Sequence, residues 1–230
     1  MFLRWVLRAF ALLVFGLIVF LGLGQYAALK TIDANLEEAP NHVAPIDPMG
    51  LKKIAEQAGV VQGPQPVVFV GNNWQGTITV IDSRTFEVIG VLDGIPDKKE
   101  RLKEIRERFV QRLMFYGIRE LVGEGHNQYV DDMYSSLDGQ RLIISRPSFA
   151  DVVAVNISTG RIDWRFPVAG FRSDHMALSP DGRQVAVSAS TGNVVHVLDV
   201  ESGQEVGRFP TGDSPHENVY SKDGSKIFHA

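Results

Sequence analysis

A repeat of about 43 residues dominates this sequence and leaves few folds open to it. An Asp-Gly pair recurs in three similar segments, SSLDGQRLIIS, LSPDGRQVAVS and YSKDGSKIFHA, with the aspartates at Asp138, Asp181 and Asp223. A second marker, the polar residue that ends a β-branched run, recurs 43 residues apart at Asn156 and Asp199. Two independent markers with one period indicate a repeated structural unit.

Each repeat has the pattern of four short strands separated by turns. Asp-Gly supplies the positive φ angles that a tight turn requires, and alternating Val and Ile residues allow each sheet to pack on its neighbours. Repeats of about 40 to 45 residues with four strands are typical of the blades of a β-propeller. The sequence therefore predicts an all-β domain of propeller blades over residues 67–230.

The number of repeats predicts an incomplete ring. The sequence holds three outer halves of blades and the beginning of one more, whereas about four to eight blades close a propeller. We expect that the chain is a fragment or that a partner completes the ring.

The first repeat contains an insertion. Asp82 matches Asn156, yet the two are 74 residues apart, about 31 more than one repeat. The excess lies in residues 97–122, which are rich in Lys and Arg and predict one amphipathic helix. This helix presents either a solvated charged face or a surface that docks on a protein partner or on lipid. Its apolar positions are Leu102, Ile105, Phe109, Leu113 and Tyr116.

The first 29 residues have the layout of a signal peptide or an uncleaved signal anchor. Arg4 and Arg8 precede an uncharged apolar run over residues 9–24. Two glycines at the end of this run offer a small-x-small cleavage pattern. The tryptophan before it and the tyrosine after it lie where the interfacial aromatic residues of an anchor would lie. Both alternatives stay open, and we favour the anchor.

The distribution of charge predicts the location of the remaining chain. Both arginines precede the apolar run, and the acidic residues Asp33, Glu37 and Glu38 follow it. The positive-inside rule then places the N-terminus in the cytoplasm and the blades outside it, in the periplasm or at the cell surface. Cleavage would instead release an exported protein. Residues 30–66 contain five prolines and are expected to form a tether.

Two stretches, VFVGNNWQGTITVIDSRTFEVIG and LSPDGRQVAVSASTGNVVHVLDVESGQEVG, resemble repeats of the YVTN family of β-propellers. The resemblance covers roughly residues 67–230 without the insertion. It implies an exported or cell-surface propeller and leaves the activity open. A middle repeat, VVAVNISTGRIDWRF, is also similar to repeats of quinoprotein dehydrogenases, although the third repeat has Gly207 where this one has Trp164.

A pair of polar residues lies six and seven positions before the aspartate of each Asp-Gly turn. These positions begin the innermost strands, which line the central funnel of a propeller. Carboxylates and imidazoles that converge there can bind a hard or borderline metal ion or transfer protons. Alternatively, they hydrogen-bond loop backbones or solvate the rim. The candidate funnel-rim residues are Asp131, Asp132, Asp174, His175, His216 and Glu217.

Histidine positions refine these candidates. The candidate metal ligands are His175, His216 and Glu217. His126 follows the insertion and is expected to overhang the same face. His229 aligns with aliphatic residues of the other repeats, so we expect it to be buried with a hydrogen-bond partner.

Composition excludes several classes of function. The net charge of -4 predicts no nucleic-acid partner, and the absence of cysteine excludes disulfides and thiolate metal sites. We expect a binding or scaffolding module without a required cofactor. It would contact the membrane through the N-terminal helix and a protein partner through the funnel face or the inserted helix. The alternative is a periplasmic or cell-surface oxidoreductase that holds a quinone, a haem or a metal in the funnel.

Overall fold

The computed structural model of this chain describes residues 2–38 and 66–230. Most of the tether expected over residues 30–66 therefore lies outside the described residues. The helices are α1 (Phe2–Glu37), α2 (Lys98–Glu107) and α3 (Phe109–Leu121). The strands are β1 (Val67–Asn72), β2 (Thr77–Asp82), β3 (Val88–Asp93), β4 (Met133–Ser135), β5 (Arg141–Arg146), β6 (Asp151–Asn156), β7 (Ile162–Pro167), β8 (Ser173–Leu178), β9 (Gln184–Ala189), β10 (Val194–Asp199), β11 (Glu205–Pro210), β12 (Asn218–Tyr220) and β13 (Ile227–His229).

These strands form four antiparallel sheets in chain order. The second sheet, β4-β5-β6-β7, and the third, β8-β9-β10-β11, each have four strands. The first sheet, β1-β2-β3, and the fourth, β12-β13, have three and two strands within the described ranges. The expected β-rich, propeller-like architecture is confirmed, and the described sheets do not close a ring.

The Asp-Gly turns use the same hydrogen bonds from sheet to sheet. Arg141 N–H donates to the hydroxyl of Ser136 over 3.0 Å, and Gln184 N–H donates to the hydroxyl of Ser179 over 2.9 Å. The glycine of each turn has a φ angle between 67° and 71°. This left-handed conformation is accessible to glycine at little cost. The recurrent dipeptide therefore marks one recurrent backbone turn.

The second sequence marker is also a turn. Asp82, Asn156 and Asp199 each accept a hydrogen bond from the backbone N–H three residues further on, over 2.8 to 3.0 Å. Short polar side chains favour such turns because they replace a backbone acceptor. The register between the last two strands also shifts at the same place in the first three sheets. The sequence alignment thus corresponds to a structural one.

Aliphatic side chains hold neighbouring sheets together. Ile78 and Ile144 are fully buried between the first and second sheets, and Ile143 and Val187 between the second and third. A smaller cluster around Val195 joins the third sheet to the fourth. Removal of this apolar surface from water provides the main stabilisation of the stack.

The antiparallel connections define two ends of each sheet. The Asp-Gly turns lie at one end. The inner strands β4, β8 and β12 begin at the opposite end, which we call the rim end. The insertion links β3 to β4, so it also lies at the rim end.

The insertion forms two helices, and the prediction of one helix was wrong. Arg108 separates α2 from α3 with an extended backbone, at φ -108° and ψ 115°. Leu102 is buried as expected, but Phe109 is half exposed and Phe115 is buried instead. The break lets both helices pack into one cluster around Ile32 of α1. One straight helix would present a single stripe to its surroundings.

The two halves of α1 have different surroundings. Its apolar side chains from Phe10 to Leu23 are largely exposed, whereas Ala28 and Ile32 are fully buried against the insertion. Asn35 accepts hydrogen bonds from Asn127 and from the hydroxyl of Tyr129, both over 2.9 Å. α1 is long and apolar enough to span a membrane or to act as a signal sequence. It also continues beyond residue 29, to Glu37.

A buried ion network joins the insertion to the second sheet. Arg146 is fully buried and binds both carboxylate oxygens of Asp151, over 2.8 and 2.9 Å. The same guanidinium binds Asp97, the residue before α2, and lies over the ring of Phe149. Arg101 of α2 also lies 3.2 Å from Asp151. A buried guanidinium is costly unless it is paired, so this network favours the docked position of the insertion on the sheet.

We predict that Asp151→Asn destabilises the protein by about 3–5 kcal/mol, because it leaves the buried charge of Arg146 incompletely paired. The free energy of unfolding is measured for the full chain in detergent by urea titration and circular dichroism. Asp163→Asn is the matched control, since its partner Arg141 is partly exposed, and the expected loss is below about 1 kcal/mol. Equal losses for the two variants would contradict the importance of the buried network.

Candidate functional site

The candidate funnel-rim residues all lie at the rim end of the sheets. Residues 131–132 directly precede β4, residues 174–175 are the second and third of β8, and residues 216–217 directly precede β12. Because these positions are equivalent in three successive sheets, the three pairs lie side by side. The repeat register is therefore enough to place them at one end of the molecule.

Asp174, His175 and His216 form a compact group within this set. Each provides one potential ligand atom, and the three atoms lie within 4.8 Å of one another. The two imidazole rings are 4.4 Å apart between centroids, at an angle of 71°. Asp174 is buried and His216 is exposed, so the group opens to the surface on one side. The group contains Asp174 in place of Glu217, the third ligand that the sequence analysis named.

A β-bulge brings two consecutive residues of β8 into the same group. In a regular strand, neighbouring side chains point to opposite faces of the sheet. Here the register with β9 shifts between Ser173 and Met176, so Asp174 and His175 lie opposite the single residue Ser188. A bulge re-aims side chains and changes this alternation.

Asp132 orients the imidazole of His175. Its Oδ2 lies 3.1 Å from Nδ1 of His175 and accepts the backbone N–H of Met176 over 2.9 Å. When the N–H of Nδ1 donates a hydrogen bond to this carboxylate, the neutral imidazole has its free lone pair on Nε2. Burial alone would lower the pKa of His175, but the carboxylates of Asp132 and Asp131 outweigh burial and raise this pKa.

Asp131 is the second titratable group beside His175. Burial raises the pKa of Asp131, and the nearby carboxylates of Asp132 and Asp174 add to the rise. The imidazole of His175 acts in the opposite direction. The rim therefore combines carboxylates with the imidazole of His175, and these carboxylates favour the protonated form of that imidazole.

Arg172 is a residue of this site that the sequence analysis missed. Its guanidinium pairs with Oδ2 of Asp174 and also binds Gln128 over 3.1 Å and Ser190 over 3.3 Å. Oδ1 of Asp174 is buried and has no hydrogen-bond partner among the described residues. The available sequence signal was an arginine two residues before the rim pair, in a loop that the repeat alignment did not cover.

His216 is positioned through its backbone. Its N–H donates to the carbonyl of Ala230 over 2.7 Å, and the N–H of Ala230 donates to the carbonyl of Glu217 over 3.1 Å. The side chains of His216 and Glu217 are exposed. The loop before β12 is thus fixed while its side chains stay accessible.

His126 lies apart from the group formed by Asp174, His175 and His216. It stacks on Trp74, with ring centroids 3.7 Å apart and planes within 7° of parallel. A cavity of about 530 Å³ lies beside this pair, between α1 and α3. His126 is therefore placed at the contact between the N-terminal helix and the insertion.

The expected burial of His229 was wrong. His229 is exposed at the end of β13, whose one partner strand within the described ranges is β12. Its imidazole lies near the ring of Phe209, with 6.1 Å between centroids. The aligned strands β5 and β9 are covered on both sides by neighbouring strands, which explains the aliphatic residues at their equivalent positions.

Comparison with known proteins supports the fold and leaves the family open. No protein-family model and no curated protein matches the chain. A chain in the crystal structure of the mitotic checkpoint complex has a TM-score of 0.51 and 15% identity, over 73% of this chain and 43% of that one. This similarity extends to a propeller-like fold alone.

Hydrazine synthase of Kuenenia stuttgartiensis is also similar, with 27% identity over 44% of this chain and 29% of that one, and a TM-score of 0.40. The chain spans less than half of the length of either of these two proteins. The resemblances to YVTN and quinoprotein repeats therefore stay predictions from the residues.

We predict that Asp132→Asn lowers the pKa of the His175 imidazole, because it removes the carboxylate bound to Nδ1. The pKa is measured by NMR titration with a metal chelator present. Protonation of His175 stabilises the fold fully below about pH 6.5, and this contribution is lost as the pH rises through the raised folded-state pKa. Asp138→Asn, at the opposite end of the same sheet, is the control and should leave this pKa unchanged. An unchanged pKa in Asp132→Asn would contradict the pairing.

Proposed function

We propose that this chain is a membrane-anchored binding module, with its propeller-like sheets outside the cytoplasm and their rim end beside the membrane. The observation that carries this proposal is the division of α1. The N-terminal half is apolar and exposed, whereas the C-terminal half packs on the insertion at the rim end.

The exposed N-terminal half of α1 is suited to a lipid environment. Phe10, Leu13, Phe15 and Phe20 are each more than 60% exposed. An apolar surface of this extent is unfavourable in water and marks a contact with a membrane or another protein. The helix is long enough to cross the hydrocarbon region, which takes about 20 residues.

The docked half supports an uncleaved anchor. α1 runs without interruption past Gly22 and Gly24, the two glycines of the small-x-small cleavage pattern. The next residue, Gln25, binds α3 through its side chain: it donates to the carbonyl of Phe109 over 3.0 Å and accepts from Arg112 over 2.7 Å. The helix is thus continuous from the apolar segment to the segment that packs on the insertion.

Charged side chains of the insertion connect α1 with the second sheet. Arg106 pairs with Asp33 of α1 over 3.0 Å, Arg112 binds Gln25, and Arg101 pairs with Asp151. These basic side chains contact the chain itself. We propose that the rim end, with the exposed side chains of His216 and Glu217, is the contact surface for a protein partner.

An oxidoreductase with a quinone, a haem or a metal in the funnel is the alternative function. Its support is the group formed by Asp174, His175 and His216, whose side chains are suitable for ligation. It requires a bound redox cofactor. A visible absorption spectrum of the purified full chain that changes on reduction would favour it over the binding module.

We predict that the full chain, produced in a bacterial host, stays in the membrane after alkaline washing and requires detergent for extraction. Protease added to spheroplasts should degrade the sheets, because the positive-inside rule places them outside the cytoplasm. Arg4→Glu with Arg8→Glu is the variant that should weaken this orientation. Release of a shortened chain that begins at Gln25 would contradict the anchor, and protection from the protease would contradict the orientation.

We further predict that the rim end is the membrane-proximal end. The chain has no cysteine, so a fluorophore can be attached to one introduced cysteine, Asp213→Cys at the rim end or Glu201→Cys at the opposite end of the third sheet. Full-length protein is reconstituted into vesicles that contain a headgroup quencher. The probe at position 213 should be quenched more strongly, because the six-residue strand between the two sites spans about 17 to 20 Å. Equal or reversed quenching would contradict the proposed orientation.

A further inference from the structure

We propose that Asp174, His175 and His216 bind one divalent transition-metal ion of the zinc class. The proposal is independent of the membrane anchor. It starts from the distance between the three potential ligand atoms, which is within 4.8 Å for every pair. Three side chains on two successive sheets thus converge on a space that one ion can fill.

The unpartnered oxygen of Asp174 is the second observation that points to a cation. The side chain of Asp174 is only 2% exposed, and Arg172 pairs with its Oδ2. Oδ1 is buried without a hydrogen-bond partner among the described residues. Buried polar atoms are nearly always satisfied, so an orphaned carboxylate oxygen requires a ligand or an ordered water. In the proposed site, Oδ1 is the oxygen that Asp174 offers to the ion, because Oδ2 pairs with Arg172.

The hydrogen bond between His175 and Asp132 is typical of a metal-binding histidine. Such a histidine usually donates its other ring N–H to a carboxylate, which selects the tautomer and the orientation of the ring. Asp132 accepts from Nδ1 over 3.1 Å and is itself held by the backbone N–H of Met176 over 2.9 Å. This pairing leaves Nε2 of His175 as the ligand atom. Asp132 is thus a positioning residue for the site.

The kind of ligand atoms selects the class of metal. Two imidazoles with one carboxylate suit zinc and its neighbours in the first transition series, whereas calcium and magnesium prefer all-oxygen sites. Three protein ligands leave a position for water or for an added ligand. His216 is exposed, so that position is accessible from the rim.

The test is zinc binding to the untagged full chain in detergent, measured by competition with a chromogenic chelator. We expect one zinc ion per chain. His216→Ala should weaken binding at least tenfold, and because this side chain is exposed, the variant should fold normally by circular dichroism. Asp174→Asn and His175→Ala should also weaken zinc binding at least tenfold. Asp132→Asn should weaken binding by about 10- to 100-fold, as removal of an orienting carboxylate does.

Glu217→Gln and His229→Ala are the matched controls and should leave zinc affinity unchanged. NMR gives a second readout: one equivalent of zinc should shift the ring signals of His175 and His216 and leave those of His126 and His229 in place. Absence of saturable binding, or binding that survives His216→Ala, would overturn the proposal. A loss in Glu217→Gln as large as in Asp174→Asn would also overturn it, since the ligand set would then be different.

Discussion

The pairing of one buried guanidinium connects the insertion, and through it the N-terminal helix, to the stacked sheets. Arg146 lies at the end of β5, yet its partners are Asp151 of the next strand and Asp97, the residue that precedes α2. Arg146 is fully buried, so loss of either carboxylate would leave its charge incompletely paired, and the network favours one arrangement of the sheet, the turn and α2. α1 in turn packs on α2 and α3. Arg146 therefore strengthens a link between the N-terminal helix and the blades that also includes the apolar cluster around Ile32 and the hydrogen bonds of Asn35.

The repeat made most of the sheet architecture predictable. Turn residues such as Asp138 and Asn156 act within a few positions of the chain, so their effect is visible in a single sequence. Arg146 is different, because it occupies a strand position that is Ala189 in the next sheet and its partners depend on the insertion. The break at Arg108 was missed for a related reason. Helical periodicity describes one straight element, whereas the two helices bend around Ile32, a residue more than 60 positions away.

The candidate site was predictable in position but not in detail. The register brought His175 and His216 to one end of neighbouring sheets. It could not rank Asp174 above Glu217, because that choice depends on a bulge in β8 and on the direction of the side chain of Arg172. Local irregularities of this kind follow from packing between sheets and leave little trace in composition or spacing. His229 illustrates the same limit, since burial of its aligned residues depends on strands that flank them.

The uninterrupted course of α1 has a mechanical consequence. A helix rises about 1.5 Å per residue, so the 14 residues from Gly24 to Glu37 form a rigid helical segment of about 20 Å rather than a flexible linker. In an anchored chain this segment would limit both the distance of the blades from the membrane and their tilt relative to it. Large particles in bulk solution would meet a sterically crowded surface, whereas neighbours that diffuse laterally in the same leaflet would meet the rim repeatedly. In the proposed anchored arrangement, the rim end would therefore meet partners in the same membrane more often than partners in solution.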